Sequence, residues 1–285
     1  MLENNNDLPA YYNGKYMSLS QVSISPLDRG FLFGDSVYEV IPVYQGKALG
    51  GAEHWQRLMM SLEDIGMTSP YSIADLEEIV NPLLDQAQAA QFLYVQITRG
   101  VESSRKHRFP VKAQPTILIY SQAFEPPINL DYAGCDGHFQ KDLRWQKCQV
   151  KSTSLMANVL AYQTLYHSGY ENDEALLVRD GLVVEAPSSN VFMVKNGQIL
   201  TPPLDNILAG VTRNKVIQLI QTLGLPFCER APSMKEAQEA DEIFVTNSYE
   251  ELKPLVNLAG SPVGNGKPGP IWQQLFSAYQ GLKQC

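Results

Sequence analysis

Cysteine, histidine and positive charge are all scarce in this chain, and each shortage removes a class of function. Four cysteines (Cys135, Cys148, Cys228 and Cys285) are scattered through 285 residues and form no C-x-x-C pair. That spacing supports neither a disulfide framework nor a zinc site, so they read as free thiols in a reducing compartment. The four histidines show no metal-ligand spacing, and no metal is expected. Lysine and arginine number 22 against 30 acidic residues, for a net charge of −8. A field of that sign argues against nucleic acid or an anionic membrane as the main partner, although a local cluster of Arg and His can still receive a small anion. No apolar run approaches the roughly 18–20 residues needed to cross a bilayer. The opening MLENNNDLPAYYNGKY lacks the apolar core of a signal peptide, so the expected location is the cytoplasm. Internal repeats and low-complexity tracts are also missing.

What is present is ordinary globular composition, 44 % apolar and 18 % charged, in a chain long enough for one large domain or two modest ones. Asn13-Gly14 sits between apolar and aromatic residues and predicts a hairpin. The β-branched run between Gly34 and Tyr44 predicts a strand, edge-like or bent at Pro42. Trp55, Leu58, Met59, Leu62 and Ile65 recur at helical spacing and predict a helix from Glu53 to Ile65. A second helical pattern runs from Ile73 to Ala90, with Pro82 as a break, and strands are expected at 92–98 and 116–121. Two consecutive prolines in SQAFEPPINL suggest a linker over 122–130, between an N-terminal domain (1–121) and a C-terminal domain (131–285). Beyond it, Asp180-Gly181 and Asn196-Gly197 predict two further hairpins. Thr212 precedes a helix that stops at Gly224, Ser233-x-x-Glu236 forms a capping box, 243–246 is a strand, and a last helix starts near Pro270. The sum is α+β in two domains, the second richer in strands.

Four segments, DRGFLFGDSVYEV (28–40), KSTSLMANVLA (151–161), VVEAPSSNVFMVKNGQILTPP (183–203) and ILAGVTRNKVI (207–217), stand in an order and spacing that resemble the fold-type IV aminotransferases. The resemblance extends over nearly the whole chain. It implies pyridoxal 5′-phosphate, a smaller N-terminal α/β domain, a larger strand-rich domain and an active site at their interface. On this resemblance Lys151 is the lysine that binds the cofactor covalently. A lysine amine must be neutral to attack an aldehyde, and burial favours the neutral form. Glu185 matches the carboxylate that pairs with the pyridine nitrogen and makes the ring a better electron sink. Arg57 matches the phosphate arginine. Val211 and Thr212 open a helix whose N–H groups face an anion, and Ser248 aligns with a hydroxyl donor to the same phosphate. Leu208 matches the apolar residue on the ring face; Ser188 and Asn247 match supporting hydrogen bonders. Taken singly, a solvated lysine, a surface glutamate, an exposed helix arginine and ordinary core or turn residues explain the same positions.

Substrate choice within the family depends on how the substrate carboxylate is held. ITRG (97–100) followed by Arg105-Lys106-His107 resembles the R-x-H trap of D-amino-acid transaminases. Alternate residues of an extended segment project to one side, so Arg105 and His107, with the Tyr38 hydroxyl, can grip a carboxylate. The rival reading of SSRKHR is a solvated basic loop. The loop before Arg105 is about one residue longer than the subgroup's, Pro187 replaces a small hydroxyl residue, and Asn247 stands where a serine is usual. The expected activity is ping-pong transamination between D-alanine or D-glutamate and a 2-oxo acid by a homodimer. The alternatives are L-branched-chain transamination, aminodeoxychorismate lysis, or a non-catalytic ligand-binding relative.

Overall fold

Asn13 (φ 46°) and Gly14 (φ 90°) both lie in the left-handed region, which closes a hairpin between β1 (Pro9–Tyr12) and β2 (Lys15–Ser18) as expected. The computed structural model describes residues 8–110, 114–127 and 133–284. The opening residues 1–7, the end of the expected linker at 128–130 and the Cys285 thiol therefore lie outside the described residues. The chain continues through α1 (Arg29–Phe33), β3 (Ser36–Tyr44), β4 (Lys47–Ala48), α2 (Gly51–Asp64), α3 (Ile73–Val80), β5 (Ala90–Thr98) and β6 (Thr116–Ala123). These strands make an antiparallel sheet in the order β2-β1-β6-β5-β3-β4. Its core is built from Val37, Ile41 and Val43 of β3, Leu93, Val95 and Ile97 of β5, and the buried stripes of α2 and α3.

Period-two alternation puts Glu39 on the same face as Val37, Ile41 and Val43, so a carboxylate is carried into that core. Two expectations need correction here. The second helix ends at Val80 rather than Ala90: Asn81-Pro82-Leu83 tighten into a 3₁₀ turn and Leu84 is extended. Strand β6 runs to Ala123, so residues 122 and 123 are paired strand, not linker.

The remaining elements are β7 (Cys135–Lys141), α4 (Met156–His167), β8 (Glu174–Arg179), β9 (Leu182–Glu185), β10 (Asn190–Lys195), β11 (Gln198–Thr201), α5 (Val211–Thr222), β12 (Phe227–Glu229), α6 (Met234–Gln238), β13 (Glu242–Asn247), β14 (Glu251–Leu258), β15 (Ser261–Pro262) and α7 (Pro270–Leu282). The strands form a mixed sheet ordered β12-β11-β10-β13-β14-β7-β8-β9, with β15 on β14. Both expected hairpins are there, Asp180 and Asn196 taking positive φ before their glycines. Strands β7 and β14 and helix α4 were not foreseen. CDGHFQK lacks apolar alternation, and its place between β14 and β8 comes from parallel backbone pairing on both sides.

The chain divides into two compact units, one running to Glu125 and joined by Val150–Ser154, the other made of Pro126–Gln149 and Leu155 onward. The strip carrying Lys151, assigned above to 131–285, thus belongs with the first unit. The reason is hydrogen bonding to β3. Tyr38 N–H donates to Lys151 O at 2.9 Å and Thr153 N–H donates to Ser36 O at 3.1 Å. No helix among the described residues is long and apolar enough to cross a membrane.

Candidate active site

Val150 is buried in the core of the first unit, which anchors the residue next to Lys151. The main chain of Lys151 is held at both ends: its N–H donates to Ser61 Oγ of α2 at 3.2 Å and its C=O accepts from Tyr38. The half-buried side chain ends with Nζ 4.3 Å from the centre of the Tyr38 ring. An ammonium over an aromatic face is attracted by the ring quadrupole, so the free lysine has a fixed resting place. Tyr38 also stacks on Tyr94, with ring centres 5.9 Å apart.

Arg57 lies one helical turn beyond His54 on α2, and both reach Glu39. Arg57 Nε donates to Glu39 Oε1 and Nη2 to Oε2, each at 2.7 Å, while His54 Nδ1 lies 2.7 Å from Oε2. Burial pushes the Glu39 carboxyl up, but the Arg57 guanidinium and the His54 bond outweigh it and bring the group down to about 2. Burial lowers His54 despite Glu39. Arg57 is therefore oriented by a buried carboxylate through a bidentate pair that fixes the plane of its guanidinium.

Arg105 and His107 are exposed, and the structure brings them to a common side chain. Arg105 Cζ lies 5.1 Å from the centre of the Phe33 ring, and the His107 imidazole meets that ring edge-on at 5.5 Å. Tyr38, grouped with them from sequence, instead meets Lys151 and Tyr94.

In the second unit Glu185 ends β9 with its carboxylate buried. Arg144 Nη1 donates to Oε1, Asn190 Nδ2 donates to Oε2 at 3.1 Å, and Leu208 N–H lies 3.3 Å from Oε2. Arg144 is itself gripped by Asp142 through Nε and Nη2, each at 2.9 Å. Burial lowers Arg144, yet its two carboxylates together raise it above its ordinary range. For Glu185 the balance goes the other way: burial pushes its carboxyl up to about 7 against the pull of Arg144 and Leu208 N–H. The two directions are compatible, because Arg144 divides its charge between Asp142 and Glu185. Arg144 is the residue that sequence reading missed. Its signal was local, an Asp-x-Arg pair in DLRWQKCQVKS that keeps one arginine from solvent.

Leu208 contributes through its main chain as well as its half-buried side chain, since its C=O accepts from Asn190 Nδ2 at 2.8 Å. Helix α5 begins at Val211 with Gly210 as its cap, so Thr212 is a buried residue of the first turn rather than the residue before the helix. No side chain caps this end, which leaves its first N–H groups facing outward along the dipole. Ser188 is exposed and bonds the Tyr162 hydroxyl at 2.7 Å. Asn247 serves Ser189, donating to its Oγ at 2.9 Å, and its own Oδ1 accepts from the N–H groups of Tyr249 and Glu250. Ser248 is half-buried in the turn after β13.

Gly210 is required by close approach: a Cβ there would stand 2.0 Å from Asn190 Oδ1. Gly210→Ala must displace the amide that donates to both Glu185 and Leu208. We expect a loss of about 1–3 kcal/mol in unfolding free energy. Chemical denaturation checks it; an unchanged midpoint would mean that Asn190 swings aside without cost.

The family model described as Amino-transferase class IV matches residues 36–258. The D-alanine aminotransferase of Staphylococcus aureus (strain MSSA476) is 36% identical over 273 residues, covering 95% of this chain and 96% of the relative. That of Bacillus licheniformis is 36% identical over 271 residues, covering 94% and 95%. Among solved structures, the Escherichia coli branched-chain amino acid aminotransferase superposes with a TM-score of 0.87 at 22% identity, covering 97% of this chain and 94% of that one. A second branched-chain amino acid aminotransferase, from T.th. and solved with pyridoxamine 5′-phosphate, gives 0.89 at 21%, covering 98% and 95%. At such identities the likeness speaks for the fold alone.

Proposed function

The chain belongs to the class IV aminotransferases, and on that footing we propose that it moves the amino group between a D-amino acid of the D-alanine or D-glutamate type and a 2-oxo acid in a ping-pong cycle. Pyridoxal 5′-phosphate, when bound, supplies an aldehyde carbon for the amine nitrogen and an electron-poor ring for the electron pair left by the α-proton. The donor set fits that group. A buried carboxyl brought to about 7 is matched to sharing a proton with a pyridine nitrogen. An uncapped helix end and an oriented arginine suit a phosphate.

Within this proposal Lys151 Nζ would hold the cofactor and, as a free amine, would take the α-proton and return it. Glu185, steadied at Oε2 by Asn190 and Leu208 N–H, would pair with the ring nitrogen, and Arg144 favours the charged form of its carboxylate. Arg57, Val211, Thr212 and Ser248 would hold the phosphate, and Leu208 would supply the apolar side chain against the ring. Ser188 and Asn247 brace the loop after Glu185 through Tyr162 and Ser189. Arg105 and His107 would take the substrate carboxylate from the neighbouring subunit of a homodimer, joined by the Tyr38 hydroxyl that stands beside Lys151.

The observation that carries the substrate class is the 36% identity with D-alanine aminotransferases sustained over 95% of the chain. An assay panel of D-alanine, D-glutamate, L-leucine and aminodeoxychorismate tests it. Turnover is expected with the D-amino acids, and turnover confined to L-leucine overturns it. Arg105→Ala is expected to raise KM for the D-amino acid about 10- to 100-fold, the worth of a charge-assisted carboxylate contact, while cofactor loading stays intact. Cofactor loss in that variant would move Arg105 to the phosphate instead.

The proposal includes a cytoplasmic homodimer. Helix α4 supports the dimer by exposing Met156, Val159, Leu160 and Tyr166, an apolar surface that a second copy would cover. Sedimentation as a single chain would remove this part of the reading.

A further inference from the structure

Arg29 is buried, at 5 % exposure, yet its guanidinium is spent mostly on main chain. Nη1 donates to Lys106 O at 2.7 Å and Arg108 O at 3.4 Å, and Nη2 donates to His107 O at 3.4 Å. Nε donates to Asp35 Oδ2 at 2.8 Å, and the same oxygen accepts from Arg99 Nε at 2.8 Å. One planar fork thus satisfies three consecutive carbonyls of a segment, 102–110, that has no helix or strand of its own. A lysine in its place gathers its three donors on one nitrogen and cannot reach Asp35 and the three carbonyls together as the spread fork does.

Four residues further along the same short helix, Phe33 completes the arrangement. Arg29 Cζ lies 4.9 Å from the centre of the Phe33 ring, Arg105 Cζ lies 5.1 Å from it, and the His107 ring meets it at 5.5 Å. Asp28 caps the helix by accepting from Gly30 N–H at 2.8 Å and ties it to β6 through Thr116 Oγ1 at 2.7 Å. The support beneath Arg105 and His107 is therefore itself fixed to the sheet.

We propose that Arg29 and Phe33 are positioning residues for substrate recognition: Arg29 sets the main-chain path of 106–108, and Phe33 sets the side chains of Arg105 and His107. The inference rests on the reading of Arg105 and His107 as the carboxylate grip. It adds that their geometry is dictated from α1, in a stretch where neither Arg29 nor Phe33 has to touch substrate.

The experiment is a double-substitution cycle on the cofactor-loaded enzyme, with hydrogen exchange as a readout independent of turnover. Phe33→Leu is expected to raise KM for D-alanine and for D-glutamate about 3- to 10-fold, the range of a lost aromatic and cation–π contact, with kcat and cofactor affinity unchanged. In an Arg105→Ala, His107→Ala background the same substitution is expected to change nothing. Arg29→Lys is expected to speed amide exchange across 105–109 in both cofactor-free and loaded protein while β3 and β5 keep their protection. An equal KM effect of Phe33→Leu in both backgrounds overturns the proposal, as does unchanged exchange in a folded Arg29→Lys protein. If Arg105→Ala raises KM and Phe33→Leu does not, the grip stands and the positioning role falls. If Arg105→Ala leaves KM alone, both fall together. Should Arg29→Lys fail to fold, Phe33→Leu alone still decides.

Discussion

Lys151→Ala is expected to lose at least about 10³-fold in kcat while its far-ultraviolet circular dichroism and unfolding midpoint stay close to those of the parent. The size follows from the roles proposed for Nζ, which removes and returns the α-proton and holds the cofactor; a positioned general base alone contributes about 10²–10⁴-fold. The preserved fold follows from the way the strip is anchored. Its ties to the first sheet run through the main chain, namely Tyr38 N–H to Lys151 O, Thr153 N–H to Ser36 O and Lys151 N–H to Ser61 Oγ. Alanine keeps all three. The contact of Nζ with the Tyr38 ring is lost, about 0.5–1 kcal/mol for a partly exposed pair. Steady-state assay with denaturation of the same preparation gives both numbers. Ordinary transamination by the variant would remove Lys151 from the chemistry, and collapse of the fold would make it a structural residue.

The second large effect concerns Glu185. Its carboxyl is raised to about 7, above the ordinary 4.5, because burial outweighs Arg144. A group raised in this direction favours the folded cofactor-free protein when protonated. That contribution is complete below about 4.5 and is lost as pH rises through about 7, for a total of about 3 kcal/mol. Glu185→Gln is therefore expected to reduce the loss of stability between pH 5 and pH 8 by about that amount. It is also expected to lower kcat at least about 10²-fold, since a neutral amide cannot favour a protonated ring nitrogen. Glutamine is the informative substitution. Alanine would leave Arg144 Nη1, Asn190 Nδ2 and Leu208 N–H without the Glu185 acceptor and open a cavity, a loss of stability that obscures the pH effect. Buried Glu174 is likewise raised to about 7, by burial first, and remains in the variant, so some slope persists. Denaturation of cofactor-free protein at the two pH values decides the matter. Parallel slopes for parent and variant would mean that Arg144 keeps Glu185 charged throughout.

How much of this was legible beforehand depended on how local each determinant is. The three hairpins at Asn13-Gly14, Asp180-Gly181 and Asn196-Gly197 were readable because positive φ selects its residues within two positions. The capping box at Ser233 and Glu236 formed as read, with Ser233 Oγ accepting from Glu236 N–H. By contrast, β7 is a strand because β14 and β8 flank it, and nothing within CDGHFQK says so. Helix α4 has apolar side chains around its circumference and offers no stripe to read. Of the proposed site residues, Lys151, Glu185 and Arg57 stand in readable motifs, whereas the groups that orient them do not. Glu39 looked like one polar residue in a strand, and only the pleat shows that it points beneath α2 at Arg57. Arg144 and Arg29 looked like surface charges; beyond the nearby Asp142 and Asp35, their burial depends on distant partners that only the fold supplies, Glu185 for Arg144 and the carbonyls of 106–108 for Arg29.

A ribosome making this chain finishes residue 125 well before it reaches the five residues that complete the same unit. During that interval Ser36 O and Tyr38 N–H await their partners at 153 and 151, and the hydrophobic site reserved for Val150 stands open. An unfinished strand margin of that kind invites pairing with any other extended chain nearby. Emergence of residues 150–154 from the ribosome is thus the moment at which the nascent protein seals that border, and the segment that seals it is the one that bears Lys151.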